Sequence, residues 1–139
     1  MMGSERATRI LLVDDDSSSR FLVRASLEDH ADLVEVVAEA ASAEEALAAI
    51  DDARPDVVVL DAVMPRMDGF ALAAAIRART PSPGILMLSS FVDDVIRAKA
   101  RAAGVDACLD KGEHHEIARV ARTLMPDLSQ EPGASATHG

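Results

Sequence analysis

Four short stretches of this chain place chemically capable residues directly after apolar runs. Asp14-Asp15-Asp16 follow Ile10 to Val13, and Asp61 follows the valine-rich start of VVVLDAVMPRMDGF, residues 57–70. Ser89-Ser90 follow GILML (84–88), and Asp110-Lys111 follow VDACL (105–109). An ionised carboxylate at the end of a buried strand is expensive to desolvate unless something offsets its charge. Carboxylates brought within a few Å of each other also repel and do not all stay ionised unaided. If the first and third apolar runs are neighbours, Asp14, Asp15 and Asp61 converge and both problems arise together. A hard divalent cation resolves them, and Mg²⁺ suits a site with few carboxylates, several waters and an incoming phosphate.

Lys111 adds a mobile positive charge to this set, and Ser89 a hydroxyl able to donate to an anionic oxygen. Together these are the parts needed to form an aspartyl-phosphate. The metal and the ammonium neutralise charge on a transferring phosphoryl group while a carboxylate oxygen attacks in line. Asp61 is the expected nucleophile, because it alone both follows a wholly apolar run and heads a shaped loop, residues 62–69. In that loop Met64-Pro65 restricts the backbone, and Asp68-Gly69 supplies a tight turn into the next helix.

The elements that must position these groups are legible as an alternation. Apolar runs at 9–13, 33–38, 56–60, 84–88 and 105–109 read as strands, the third nearly continuous Val/Leu as in a strand covered on both faces. Between them lie helical segments: Ser17 to Asp29, with Ser17 to Ser19 able to cap, and Ser42 to Ile50, which opens on a capping box. Phe70 to Arg79 ends before Pro81, Val92 to Ala103 ends at Gly104, and Ile117, Val120, Ala121 and Leu124 form a single stripe. Five βα repeats imply a doubly wound α/β fold with right-handed crossovers and helices on both faces of a parallel sheet. Ligands of such sheets bind beyond the carboxyl ends of the strands. The domain is expected over 9–125, with a flexible start at 1–8 and a disordered tail at 126–139 that is polar and rich in small residues.

Composition narrows the partners. The chain of 139 residues carries a formal net charge of −10, which argues against direct nucleic-acid binding and against docking on an anionic membrane. No apolar run approaches the roughly 18 residues that span a bilayer, and MMGSERATR lacks the apolar middle of a signal peptide. One cysteine, Cys108, excludes an internal disulfide framework. A cytoplasmic location is the simplest expectation.

ILLVDDD, VVVLDAVMPRMDG, ILMLSS and DACLDKG, in this order and at these separations, resemble the receiver domain of two-component response regulators, CheY-like proteins, over roughly Thr8 to Met125. The resemblance implies a flavodoxin-like five-stranded parallel sheet of order 2-1-3-4-5. It implies that Asp61 accepts a phosphoryl group from a sensor histidine kinase or a histidine phosphotransfer protein. Asp14 and Asp15 match the acid pair, with Asp15 a direct Mg²⁺ ligand beside Asp61 and the backbone carbonyl of Val63. Ser89, with Ser90 beside it, matches the hydroxyl that senses the phosphoryl group, and Lys111 the lysine that binds it. Phosphorylation would draw Ser89 and Lys111 inward and switch the face of the fourth helix, fifth strand and fifth helix. That face would meet a downstream protein or a second copy of the chain.

Two departures bear on the readout: Cys108 stands where the family commonly has a switching aromatic, and Gly112 follows Lys111 where a proline is frequent. A phosphorylation-independent adaptor is one alternative. A Mg²⁺-dependent aspartyl-phosphate phosphohydrolase is another, disfavoured because Val63 occupies the position two residues on where that chemistry wants an acid. Val63 and Phe91 should hinder an attacking water and lengthen the life of the phosphorylated form. Asp16 reads as a helix-approach residue, Cys108 as a small buried hydrophobe, Asp110 as a solvated neighbour of Lys111, and His114-His115 as the exposed start of a helix.

Overall fold

The computed structural model describes residues 6–125. Its elements are β1 (Thr8–Val13), α1 (Ser17–Glu28), β2 (Val34–Ala40), α2 (Ala43–Ala53), β3 (Val57–Asp61), α3 (Gly69–Arg77), β4 (Gly84–Ser89), α4 (Asp94–Ala102), β5 (Ala107–Asp110) and α5 (His114–Thr123). The strands form one parallel sheet in the order β2-β1-β3-β4-β5, the doubly wound arrangement expected. Every residue of β3 and β4 is buried, which follows from their central position and from helices on both faces.

Alternation along the strands divides the core in two. Leu11, Val13, Val58, Leu60, Ile85 and Met87 face α2, α3 and α4 through Ala46, Ile50, Leu72, Ala73, Ile76 and Ala100. Ile10, Leu12, Val57, Val59, Leu86 and Leu88 face α1 and α5 through Val23, Leu27, Ile117, Ala118 and Ala121. Each helix commits a stripe of residues about one turn apart to its layer, and its charged residues take the outer side.

The strands run further toward their carboxyl ends than the apolar runs suggest. Asp61 pairs with Leu88 and Ser89 with Asp110, so both polar residues lie inside the ladder. Ladder membership depends on backbone hydrogen bonding and not on hydropathy. α1 is capped by Asp16, whose carboxylate accepts from Ser18 N–H at 3.2 Å, and not by Ser17 to Ser19, which lie within the helix. In α2, Ser42 caps as expected, but the Glu45 carboxylate reaches back to Ala41 N–H at 2.8 Å and the helix continues to Ala53. Between β3 and α3, Val63–Met64 and Met67–Asp68 form a short antiparallel ladder that hydropathy did not signal.

The amino-terminal boundary also shifts. Thr8 is fully buried, and Arg6 clamps Asp56 through two hydrogen bonds of 2.8 and 2.9 Å, so residues 6–8 belong to the fold and not to a flexible start. The expected tail, 126–139, lies outside the described residues, as do 1–5. Among the described residues no helix is long and apolar enough to cross a membrane.

Candidate functional site

Parallel registry brings the acids together. Val13 pairs with Leu60, so Asp14 and Asp61 emerge side by side from β1 and β3 at the carboxyl rim of the sheet. Both are buried, 6% and 7% exposed, whereas Asp15 is half-buried on the loop that follows. Asp14 Oδ1 accepts from Asp16 N–H at 2.9 Å, and Asp61 Oδ1 from Val63 N–H at 3.1 Å. The Asp15 carboxylate turns toward the loop after β3 and accepts from Arg66 N–H at 3.2 Å.

Lys111 arrives from the end of β5 and completes the rim. Its Nζ donates to Asp61 Oδ2 at 2.7 Å and to Ser19 Oγ at 3.2 Å, and stands 3.8 Å from Asp14 Oδ2. One ammonium therefore faces both buried acids. Burial pushes the Asp61 carboxyl above the ordinary carboxylate range, and the neighbouring charge of Asp14 adds to this. The Lys111 hydrogen bond, the Val63 N–H and the lysine charge pull it back only in part. Burial also opposes the Lys111 charge, but its hydrogen bond to Asp61 and the charges of Asp61, Asp14 and Asp16 outweigh that, holding the ammonium above its ordinary value.

Asp14, Asp15 and Asp61 bring three negative charges to a rim that Lys111 supplies with one positive charge. Among the described residues no three acidic, histidine or cysteine side chains form a metal cage by themselves. The acidic groups at the rim offer only oxygen ligands, and their charge exceeds that of Lys111. Such a set fits a hard cation that takes few protein ligands and keeps several waters, as Mg²⁺ does, and it does not fit a soft metal.

Backbone geometry sharpens the loop around Asp61. A Cβ at Gly69 would lie 2.6 Å from the Asp61 carbonyl oxygen and 2.8 Å from that of Ala62. Glycine is required there by close approach of the α3 start to the end of β3, a different reason from the turn conformation the sequence suggested. Asp68 caps α3, accepting from Phe70 and Ala71 N–H at 2.9 and 3.2 Å. A concavity of about 520 Å³ lies at the opposite end of the sheet, among Ile50, Arg54, Pro55, Arg79 and Pro83. It holds none of the rim's acidic, hydroxyl or ammonium groups.

The model of the response regulator receiver domain matches residues 10–121. The chain belongs to the response regulator receiver family. Relatives include the response regulator protein VraR of Staphylococcus aureus, 36% identical over 103 residues that make up 74% of this chain and 49% of VraR. The chain thus spans about half the length of the curated relatives it matches. Among solved structures, the Vibrio cholerae chemotaxis protein CheY4 superposes with a TM-score of 0.74 at 30% identity, over 86% of this chain and 99% of CheY4. A LuxR-family two-component response regulator from Aurantimonas superposes with a TM-score of 0.76 at 28% identity, over 94% of this chain and 99% of that one.

In this receiver the remaining site residues divide. Ser89 is buried, and its hydroxyl donates to Phe91 O at 2.9 Å and accepts from Phe91 N–H at 3.3 Å, so it is engaged by its own loop and not by Asp61. Ser90 is exposed beside it, and Val63 and Phe91 are each 68% exposed at the mouth. Cys108 is half-buried in β5 against the core, and burial pushes its thiol up, as for a small hydrophobe. Asp110 is not merely a solvated neighbour of Lys111: its Oδ1 accepts from Gly112 N–H at 2.7 Å. A proline at 112 has no N–H to offer, so this receiver holds its lysine turn by a side-chain hydrogen bond.

Sequence reasoning missed Ser19, Arg20, Glu39 and Arg66. Ser19 read only as a candidate cap of α1, and nothing local showed that its hydroxyl would accept from Lys111. Glu39 and Arg20 are brought together only by the β1–β2 pairing and the return of α1 over it.

Proposed function

We propose that this receiver is a phosphoacceptor in a His-Asp phosphorelay and that Asp61 carries the phosphoryl group. The contact that supports this most directly is Lys111 Nζ, 2.7 Å from Asp61 Oδ2 and 3.8 Å from Asp14 Oδ2. An Asp61 oxygen attacks the phosphorus of a phosphohistidine on a sensor kinase or a histidine phosphotransfer protein. A P–O bond forms as the P–N bond breaks, and the imidazole nitrogen leaves with the bonding pair. Lys111 is placed to follow the charge that moves onto the phosphoryl oxygens. The carboxylates of Asp14, Asp15 and Asp61, with the Val63 carbonyl, would hold Mg²⁺. When bound, that ion neutralises phosphoryl charge and offsets repulsion among the acids.

The same reading makes Ser89 a switch. Its hydroxyl leaves Phe91 to donate to the new phosphoryl oxygens, and the movement of its loop biases the face of α4, β5 and α5 toward a protein partner. The domain performs no turnover beyond its own phosphotransfer and slow dephosphorylation, and it acts in the cytoplasm. Incubation with Mg²⁺ and acetyl phosphate, followed by intact-mass measurement, tests the reading. One phosphoryl addition is expected, absent in Asp61→Asn; equal labelling of both proteins would overturn it.

A further inference from the structure

We infer that Arg20 and Glu39 form a latch that positions the Asp14–Asp15 pair, which makes Arg20 a positioning residue for metal binding at this rim. The inference rests on the phosphoacceptor reading above. Arg20 Nη1 donates to the Asp14 carbonyl oxygen at 2.6 Å, and its Nε donates to Glu39 Oε1 at 3.1 Å. The two side chains are only 19% and 26% exposed, so the pair is shielded from the solvent that weakens surface ion pairs. Arg24, one turn along α1, donates to the other oxygen of the same carboxylate, which fixes Glu39 from a second side.

The Asp14 carbonyl is half of the Asp14–Asp15 peptide group. Because that group is planar, a hydrogen bond on its oxygen sets the direction of the Asp15 N–H and Cα as well. Asp14 N–H donates to Ala40 O at 3.1 Å. Both peptide groups flanking the Asp14 Cα are thus anchored at the end of β2, one directly and one through Arg20 and Glu39. The rigid fork of a guanidinium suits this double duty, since its donors diverge at a fixed angle. Asp15 itself carries one weak hydrogen bond, from Arg66 N–H, so its placement depends on the backbone beneath it.

Glu39 has a second task. Without its partner, the Arg20 charge beside a rim of three acids would be drawn onto their oxygens and would compete with a cation there. Paired to Glu39, it stays on the carbonyl. This gives the carboxyl end of β2 a role that its sequence did not suggest.

The test measures Mg²⁺ affinity by calorimetry and amide exchange at Asp15 and Asp16 by NMR, on the same proteins. Arg20→Met and Glu39→Gln are expected to weaken Mg²⁺ binding by about tenfold, the range for a partner that orients a ligand. Exchange at Asp15 and Asp16 should speed up in both. Arg20→Lys, whose donors share a single nitrogen and cannot span both acceptors as the fork does, should fall between wild type and Arg20→Met. Arg77→Met is the control: Arg77 bonds the Gly104 carbonyl and pairs with Asp106 at the opposite end of the sheet, so its loss tests general destabilisation.

Unchanged affinity and exchange in Arg20→Met would overturn the latch, as would an equal loss of affinity in Arg77→Met. If Arg20→Met does not fold, Glu39→Gln and Arg20→Lys decide by the same two measurements. If the wild type binds no Mg²⁺, the phosphoacceptor reading fails, and the exchange rates alone decide whether the latch exists.

Discussion

Replacing Lys111 by Met removes one positive charge from beside two buried acids and leaves a stem of similar length. The ammonium makes hydrogen bonds of 2.7 Å to Asp61 and 3.2 Å to Ser19. Breaking a fully buried ion pair by removing one partner costs about 3–5 kcal/mol. Lys111 is 27% exposed, so solvent compensates in part, and a loss of about 2 kcal/mol at neutral pH is expected. The pH dependence carries a sign. Asp61 already titrates above its unfolded value, so the folded state binds its proton more readily, and stability falls as pH rises through that raised value. Without the ammonium the Asp61 pKa rises further. The deficit of Lys111→Met against wild type is therefore full at neutral pH and shrinks on acidification through the Asp61 transition. On the alkaline side, the wild-type advantage persists until Lys111 itself loses its proton, above the ordinary lysine range.

Urea unfolding followed by far-ultraviolet circular dichroism measures this, since the chain has no Trp or Tyr to report by fluorescence. Equal midpoints at neutral pH would refute the electrostatic account. So would a deficit of the same size in acid, which would assign the loss to packing of the lysine stem.

Gly69→Ala should cost about 1–3 kcal/mol, because the new methyl would press on backbone oxygens that cannot swing aside. Labelling of Asp61 should slow with it, and a variant of wild-type stability would show that the α3 start can shift freely. Asp16→Ala removes the α1 cap and should lower stability by about 1 kcal/mol in the same urea assay; an unchanged midpoint would return the capping role to the serines. Val63→Asn combined with Phe91→Gln, at the two exposed apolar positions of the mouth, should shorten the half-life of the phosphorylated protein, followed by intact mass after removal of donor. An unaltered half-life would mean that neither side chain hinders water.

Much of the fold was legible along the chain because hydropathy reports burial. The run VVVL had to lie in a central strand, and five alternations of strand and helix leave few ways to build a sheet. The site was legible for a related reason. Asp14, Asp61 and Lys111 each follow an apolar run, and the carboxyl ends of parallel strands share one rim. Boundaries were less legible, since Asp61 and Ser89 join the ladder through backbone groups common to every residue. α1 begins at Ser17 as expected, but its cap, Asp16, was obscured by three serines with the same capping chemistry.

The order of apolar and polar residues by itself determined which groups could meet at the carboxyl rim, because strands joined by helical crossovers run parallel and chain chirality makes those crossovers right-handed. Only the tertiary structure decided their contacts. It set Lys111 against Asp61 and Asp14, turned Ser89 toward Phe91, and laid Arg20 between the Asp14 carbonyl and Glu39. The Lys111 contacts and the Arg20–Glu39 pair join residues far apart in sequence, and their distances depend on how tightly the layers pack, a property of the whole core that no local pattern encodes.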